Sequence, residues 1–200
     1  ALWPRPATLP HATMHWPGVR LTNPEEVPNQ TANAYGRPAP RVRRGARVRH
    51  WGKNSAALLI LLFACARMGC VLMPLNWRLS GKEWAWMLDD AAPRVLLTLH
   101  GYQTQAAELG VPTYDLGALI ARGSADDRVP DTGRGGDDLL LVYTSGSTGR
   151  PKGAVHSQDA VWANAQFSAA MHDYNLGGRQ DRVLTILPMF HVGGLAIQTL

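Results

Sequence analysis

The sequence predicts an α/β fold: a mostly parallel sheet with flanking helices. Three observations carry that expectation. Short apolar runs of strand length, such as residues 71–76, 94–99 and 139–142, alternate with segments of helical character. That alternation yields parallel strands joined by right-handed crossovers. Leu139-Leu140-Leu141-Val142 is apolar throughout, as a strand buried on both faces must be. A glycine- and hydroxyl-rich stretch follows it at once, at the carboxyl end of the strand, where α/β proteins bind their ligands.

Residues 1–40 carry eight of the fourteen prolines and no lasting apolar periodicity, so no folded element is predicted there. An irregular extension, a disordered tail and a segment foreign to the domain all fit that composition. From Arg41 the pattern changes. Residues 47–51 read as a short strand. Asn54-Ser55 offers an N-cap for an apolar helix over 56–68, and Gly69 stands where a left-handed terminator belongs. A strand over 71–76 follows, and Ser80 with Glu83 forms a capping box for a helix to about Ala91. Next come a strand over 94–99, a weaker helix over 104–109 and a short strand over 111–114. Residues 121–138 lack apolar pattern and read as a connecting loop. After the strand at 139–142 come a helix from about Gln158 to Asp173 and a strand from Val183 to Leu187. The last residues before Leu200 read as the start of a helix.

At 46% hydrophobic and 18% charged over 200 residues, the chain has the composition of a soluble globular protein with room for a substantial core. The net charge of +5 is local. Residues 1–50 hold eight Arg against Glu25 and Glu26, and the remaining residues are close to balanced. Arg41 to His50 lacks the interleaved aromatics of a single-strand binding surface, so no nucleic-acid partner is expected. Cys65 and Cys70, five apart with no His or Asp cluster beside them, read as buried thiols of a reducing compartment. The longest apolar run, Ala56 to Ala66, is too short to span a bilayer. No transmembrane segment is expected, and the expected location is cytoplasmic.

Residues 143–153 read Tyr-Thr-Ser-Gly-Ser-Thr-Gly-Arg-Pro-Lys-Gly. Gly146, Gly149 and Gly153 allow close backbone approach. Thr144, Ser145, Ser147 and Thr148 supply hydroxyl donors, and Lys152 an ammonium. Such a segment suits a polyphosphate. It is not a Walker A loop, because Pro151 precedes the lysine and Gly153 follows it. A surface turn would explain the glycines but not their order. The string matches, position for position, and so resembles, the phosphate loop of the adenylate-forming enzymes: acyl-CoA synthetases, adenylation domains and luciferases.

Two further stretches resemble that family. Leu187-Pro188-Met189-Phe190-His191-Val192-Gly193-Gly194-Leu195 resembles its next motif, at the wall of the acyl pocket. Taken alone, a His between Phe and Val reads as a packed core residue. The resemblance implies instead that His191 lies where acyl chain and adenylate meet and shapes and polarises the site, with Gly193 and Gly194 allowing close ligand approach. Residues 71–79, leading into Glu83, resemble an early packing motif, in which Asn76 and Arg78 read as structural ties. His156 fits either a position facing pyrophosphate or a solvated helix start. The pairs Asp89-Asp90, Asp126-Asp127 and Asp137-Asp138 read as surface or structural carboxylates, and no metal ligand is predicted.

The resemblance implies a partial large N-terminal domain over residues 41–200. It also implies a two-step reaction, in which a carboxylate attacks the α-phosphorus of ATP and a thiol, usually coenzyme A, displaces AMP. ATP with Mg²⁺ and coenzyme A are the implied cofactors, and a fatty or related carboxylic acid the implied substrate. Thr144, Ser145, Gly146, Ser147, Thr148, Gly149 and Lys152 would hold the phosphates, and His191 would act at the reacting centre. The family's adenine-binding motif, ribose-binding aspartate, hinge and C-terminal lysine are not found in these 200 residues, so little turnover is expected from this chain alone. A non-enzymatic fragment or pseudogene product keeping only the phosphate loop is the alternative. The oligomeric state is not legible.

Overall fold

The computed structural model describes residues 14–16, 19–21, 42–99, 101–102, 105–106, 108–122, 132–144, 151–172 and 182–200. Two short strands, β1 (Met14–Trp16) and β2 (Val19–Leu21), pair antiparallel in a sheet of their own within the proline-rich head. The main sheet has six strands: β3 (Arg47–Trp51), β4 (Val71–Pro74), β5 (Val95–Thr98), β6 (Thr113–Asp115), β7 (Asp138–Thr144) and β8 (Lys152–Ser157). Their spatial order is β6-β5-β3-β4-β7-β8, parallel throughout except for the antiparallel β7–β8 pair. The predicted α/β class and mostly parallel sheet are thus what the chain forms.

Period-two alternation divides the strands between two cores. Val48, Leu72, Val95, Leu97, Leu140 and Val142 pack with the helix α1 (Ala56–Met68). Trp51, Met73, Leu96 and Leu141 pack on the opposite face with Trp84, Met87 and Ala91 of α2 (Gly81–Ala91). Burial on both faces is why β4 and residues 139–142 of β7 show no polar positions. Helix α1 is buried nearly all round, so it too lacks a polar stripe. Ser55 caps it by accepting from Leu58 N, and Gly69 ends it at φ 64°. The Ser80–Glu83 capping box starts α2 as predicted.

Four features depart from the sequence reading, the first being the β1–β2 pair in a head where no folded element was expected. A short helix, α3 (Leu116–Arg122), follows β6 where no element was expected; Asp115 opens it by accepting from Ala118 N at 2.7 Å. Residues 152–157 form β8 and do not simply continue a loop, after which α4 (Gln158–Met171) begins at the Ser157 cap. The strand expected over Val183–Leu187 does not form. A strand needs a paired neighbour, and among the described residues this segment has none. Val183, Leu184 and Ile186 stand 50%, 79% and 71% exposed. Beyond His191 the chain makes one wide π-helical turn, Gly193–Ile197.

Candidate functional site

Because β3, β4 and β7 run parallel, their carboxyl ends open on one edge of the sheet, and of the predicted site residues Thr144 and Lys152 are described at that end of β7. The phosphate-loop stretch is the connection of the β7–β8 hairpin. Thr144 lies opposite Lys152 in register, and its hydroxyl donates to the Lys152 carbonyl at 3.4 Å. Thr144 therefore closes the base of the hairpin. The Lys152 side chain is exposed and forms no salt bridge among the described residues. Gly153 faces Tyr143, and a Cβ there would lie 2.8 Å from Leu141 Cδ1, so a larger residue would displace the end of that leucine side chain. Ser145, Gly146, Ser147, Thr148 and Gly149 lie outside the described residues.

Tyr143 turns the other way, toward α2. Its hydroxyl donates to Asp90, its ring meets Trp86 edge-on at 6.0 Å, and burial, then Asp90, raises its pKa. A hollow of about 540 Å³ there is lined by Arg47, Trp86, Asp90, Tyr143 and Lys152 among others. His156 sits in β8 opposite Leu140, half-buried. Asp137 is structural: it pairs with Arg44, accepts from Arg134 N at 2.9 Å, and is held below the usual carboxylate range chiefly by Arg44. Asp126 and Asp127 lie outside the described residues.

His191 stands exposed at the start of the π-helical turn. Its Nδ1 accepts from Gly193 N at 3.2 Å, which leaves the ring proton of the neutral form on Nε2. Gly194 packs on its own motif, since a Cβ there would lie 2.6 Å from the Leu187 carbonyl oxygen. Residues that the sequence assigned to other tasks hold this segment. Asn54 bonds to Leu187 and Met189, Trp77 meets Phe190 edge-on at 6.3 Å, and the Arg78 guanidinium lies over both rings at 4.9 and 6.0 Å. Asn76 ties the strand end to α2, as read from the sequence, by accepting from Arg78 N and Trp84 Nε1. Asn54 was detectable only as a second cap-type residue where Ser55 already suffices.

Among the described residues no group of three or more His, Cys, Asp or Glu is placed to hold a metal ion, and no helix is long and apolar enough to cross a membrane. Indoleacetate–CoA ligase of Aromatoleum aromaticum is 41% identical over 168 residues, 76% of this chain and 32% of that protein. Feruloyl-CoA synthase of an Amycolatopsis species is 37% identical over 205 residues, 98% of this chain and 40% of that protein. The solved o-succinylbenzoate CoA synthetase of Bacillus subtilis, in complex with its acyl-adenylate intermediate, superposes with a TM-score of 0.75 at 27% identity. That match covers 95% of this chain and 50% of the solved one. The chain therefore spans well under half the length of the curated relatives it matches. Residues 32–200 match the family described as AMP-binding enzyme. With the phosphate-loop string on the β7–β8 hairpin and the His191 motif at the same sheet edge, the chain belongs to the AMP-binding enzymes.

Proposed function

We propose that the protein carrying this chain is an ATP-dependent acid–thiol ligase that adenylates a carboxylic acid and passes the acyl group to coenzyme A. Residues 41–200 are part of its adenylating domain, and the family match extends that region back to residue 32. The observation that carries this reading is residues 143–153, whose order of glycines, hydroxyls and lysine joins β7 to β8 at the carboxyl end of β7. Lys152 supplies positive charge toward the leaving phosphates, and Ser145, Ser147 and Thr148 supply hydroxyl donors; Thr144 holds the hairpin ends together. His191 directs Nε2–H toward the oxygen that links acyl group and phosphate. Magnesium bound with ATP supplies further neutralisation of phosphate charge, and no residue of this chain is assigned to hold it. The relatives' named substrates include indoleacetate and feruloyl groups, which puts aryl acids beside fatty acids as candidates. A cytoplasmic enzyme without nucleic-acid partners completes the proposal.

The test is acid-dependent exchange of labelled pyrophosphate into ATP, across a panel of aryl and fatty acids. It is measured on this chain fused to the remaining portion of feruloyl-CoA synthase. Exchange that requires the acid and falls about a hundredfold in Lys152→Ala supports the reading, since removing a fixed electrostatic stabiliser typically costs that much. A folded fusion with no acid-dependent exchange sinks it.

A further inference from the structure

The segment 187–189 is irregular backbone with no paired strand among the described residues, yet its polar groups find partners; Leu187 N donates to Gln198 Oε1 at 3.1 Å. The Asn54 carboxamide supplies two of them, one from each of its ends. Nδ2 donates to the Leu187 carbonyl at 2.9 Å, and Oδ1 accepts from Met189 N at 2.8 Å. A side-chain amide has the donor and acceptor of a peptide group, so Asn54 stands in for one residue of a paired strand. The two bonds grip Pro188 from either side and fix both translation and rotation of the segment. Pro188 in turn accepts from His191 N at 3.0 Å, and His191 accepts from Gly193 N through Nδ1. Met189 is buried in the α1-side core, which anchors the far side of the grip. A continuous hydrogen-bonded path thus runs from the β3–α1 loop to the His191 ring.

We propose that Asn54 is the positioning residue of the His191 motif, setting where the imidazole stands at the carboxyl edge of the sheet. Its consequence for acyl transfer rests on the ligase reading above; the grip itself does not. Aspartate keeps the acceptor but cannot donate to Leu187. Glutamine keeps both groups one methylene too far out. Neighbouring Ser55 caps α1 and touches neither Leu187 nor Met189, so Ser55→Ala is the control for general weakening of this corner.

Two measurements on the 200-residue chain decide the grip. One is amide exchange at Met189 relative to the core amide of Leu62; the other is the ¹⁵N pattern of the His191 ring. Asn54→Ala should lose about tenfold of Met189 protection relative to Leu62, the effect of one lost hydrogen bond, and should mix the His191 tautomers. Asn54→Asp should fall between, and Ser55→Ala should leave both readouts at wild type. Unchanged Met189 protection and an unchanged His191 ring in Asn54→Ala overturn the proposal, as does an equal change in Ser55→Ala. In the fused enzyme, Asn54→Ala should lower the pyrophosphate-exchange rate about a hundredfold, the scale of a small misplacement, with KM for ATP unchanged. A raised KM for ATP with an unchanged rate overturns the positioning role. If the wild-type fusion shows no exchange, the ligase reading fails, and the two measurements on the chain decide the grip without it.

Discussion

His50 lies in β3 and is 1% exposed, with Nε2 lacking a hydrogen-bond partner among the described residues. Burial pushes its pKa from 6.5 down to about 4. The folded chain therefore keeps the imidazole neutral while the unfolded chain takes up a proton below pH 6.5. Stability present above 6.5 drains away as the pH falls toward 4. Denaturant titrations at pH 7.5 and 5 should show wild type losing about 2 kcal/mol more than His50→Leu, given roughly 1.4 kcal/mol per pKa unit. An equal acid loss in both proteins would rule this out. Arg49 beside it is fully buried, its three guanidinium nitrogens also lack partners among the described residues, and burial lowers its pKa to about 10. Neither cost is visible in the string Arg47-Val48-Arg49-His50-Trp51, because three basic residues in a short strand carry no sign of burial. Only the sheet order shows β3 between β4 and β5, covered on both faces.

At the scale of elements, local chemistry was a dependable guide wherever one residue type answers one backbone need. The Ser55 and Ser80 caps, the Glu83 return bond and the left-handed Gly69 were all legible for that reason. Gly69 carries a second constraint, since a Cβ there would lie 2.8 Å from Arg44 Cγ and 2.9 Å from Asp137 Oδ2. Gly69→Ala should therefore cost at least the roughly 1–2 kcal/mol of a left-handed non-glycine residue, read as a lowered denaturation midpoint with an unchanged slope. A shift no larger than that of an exposed helix substitution would contradict it. The elements that escaped the sequence reading are those fixed from a distance. Strand β8 exists because β7 is its partner, and its exposed lysine, glycine and alanine carry no apolar signal. The expected strand at 183–187 had the signal but not the partner.

At the scale of the whole molecule, that unpaired segment joins other apolar side chains left in solvent. Phe167 and Met171 of α4 and Ile197 of the π-helical turn are more than half exposed, as are Leu184 and Ile186. Surfaces of this kind drive association. Sedimentation velocity should find the 200-residue chain associating as its concentration rises, and Leu184→Lys with Ile186→Lys should shift it toward monomer. Concentration-independent sedimentation of the wild type would refute that expectation. The sequence by itself determined the α/β class, the main helices and their caps, and the motif of residues 143–153, because each rests on neighbours close along the chain. The tertiary structure alone decided the strand order, the burial of Arg49 and His50, the turning of Tyr143 away from the hairpin, and the grip of Asn54 on Leu187 and Met189. Those depend on contacts between residues up to 135 apart, which packing creates and local propensity does not encode.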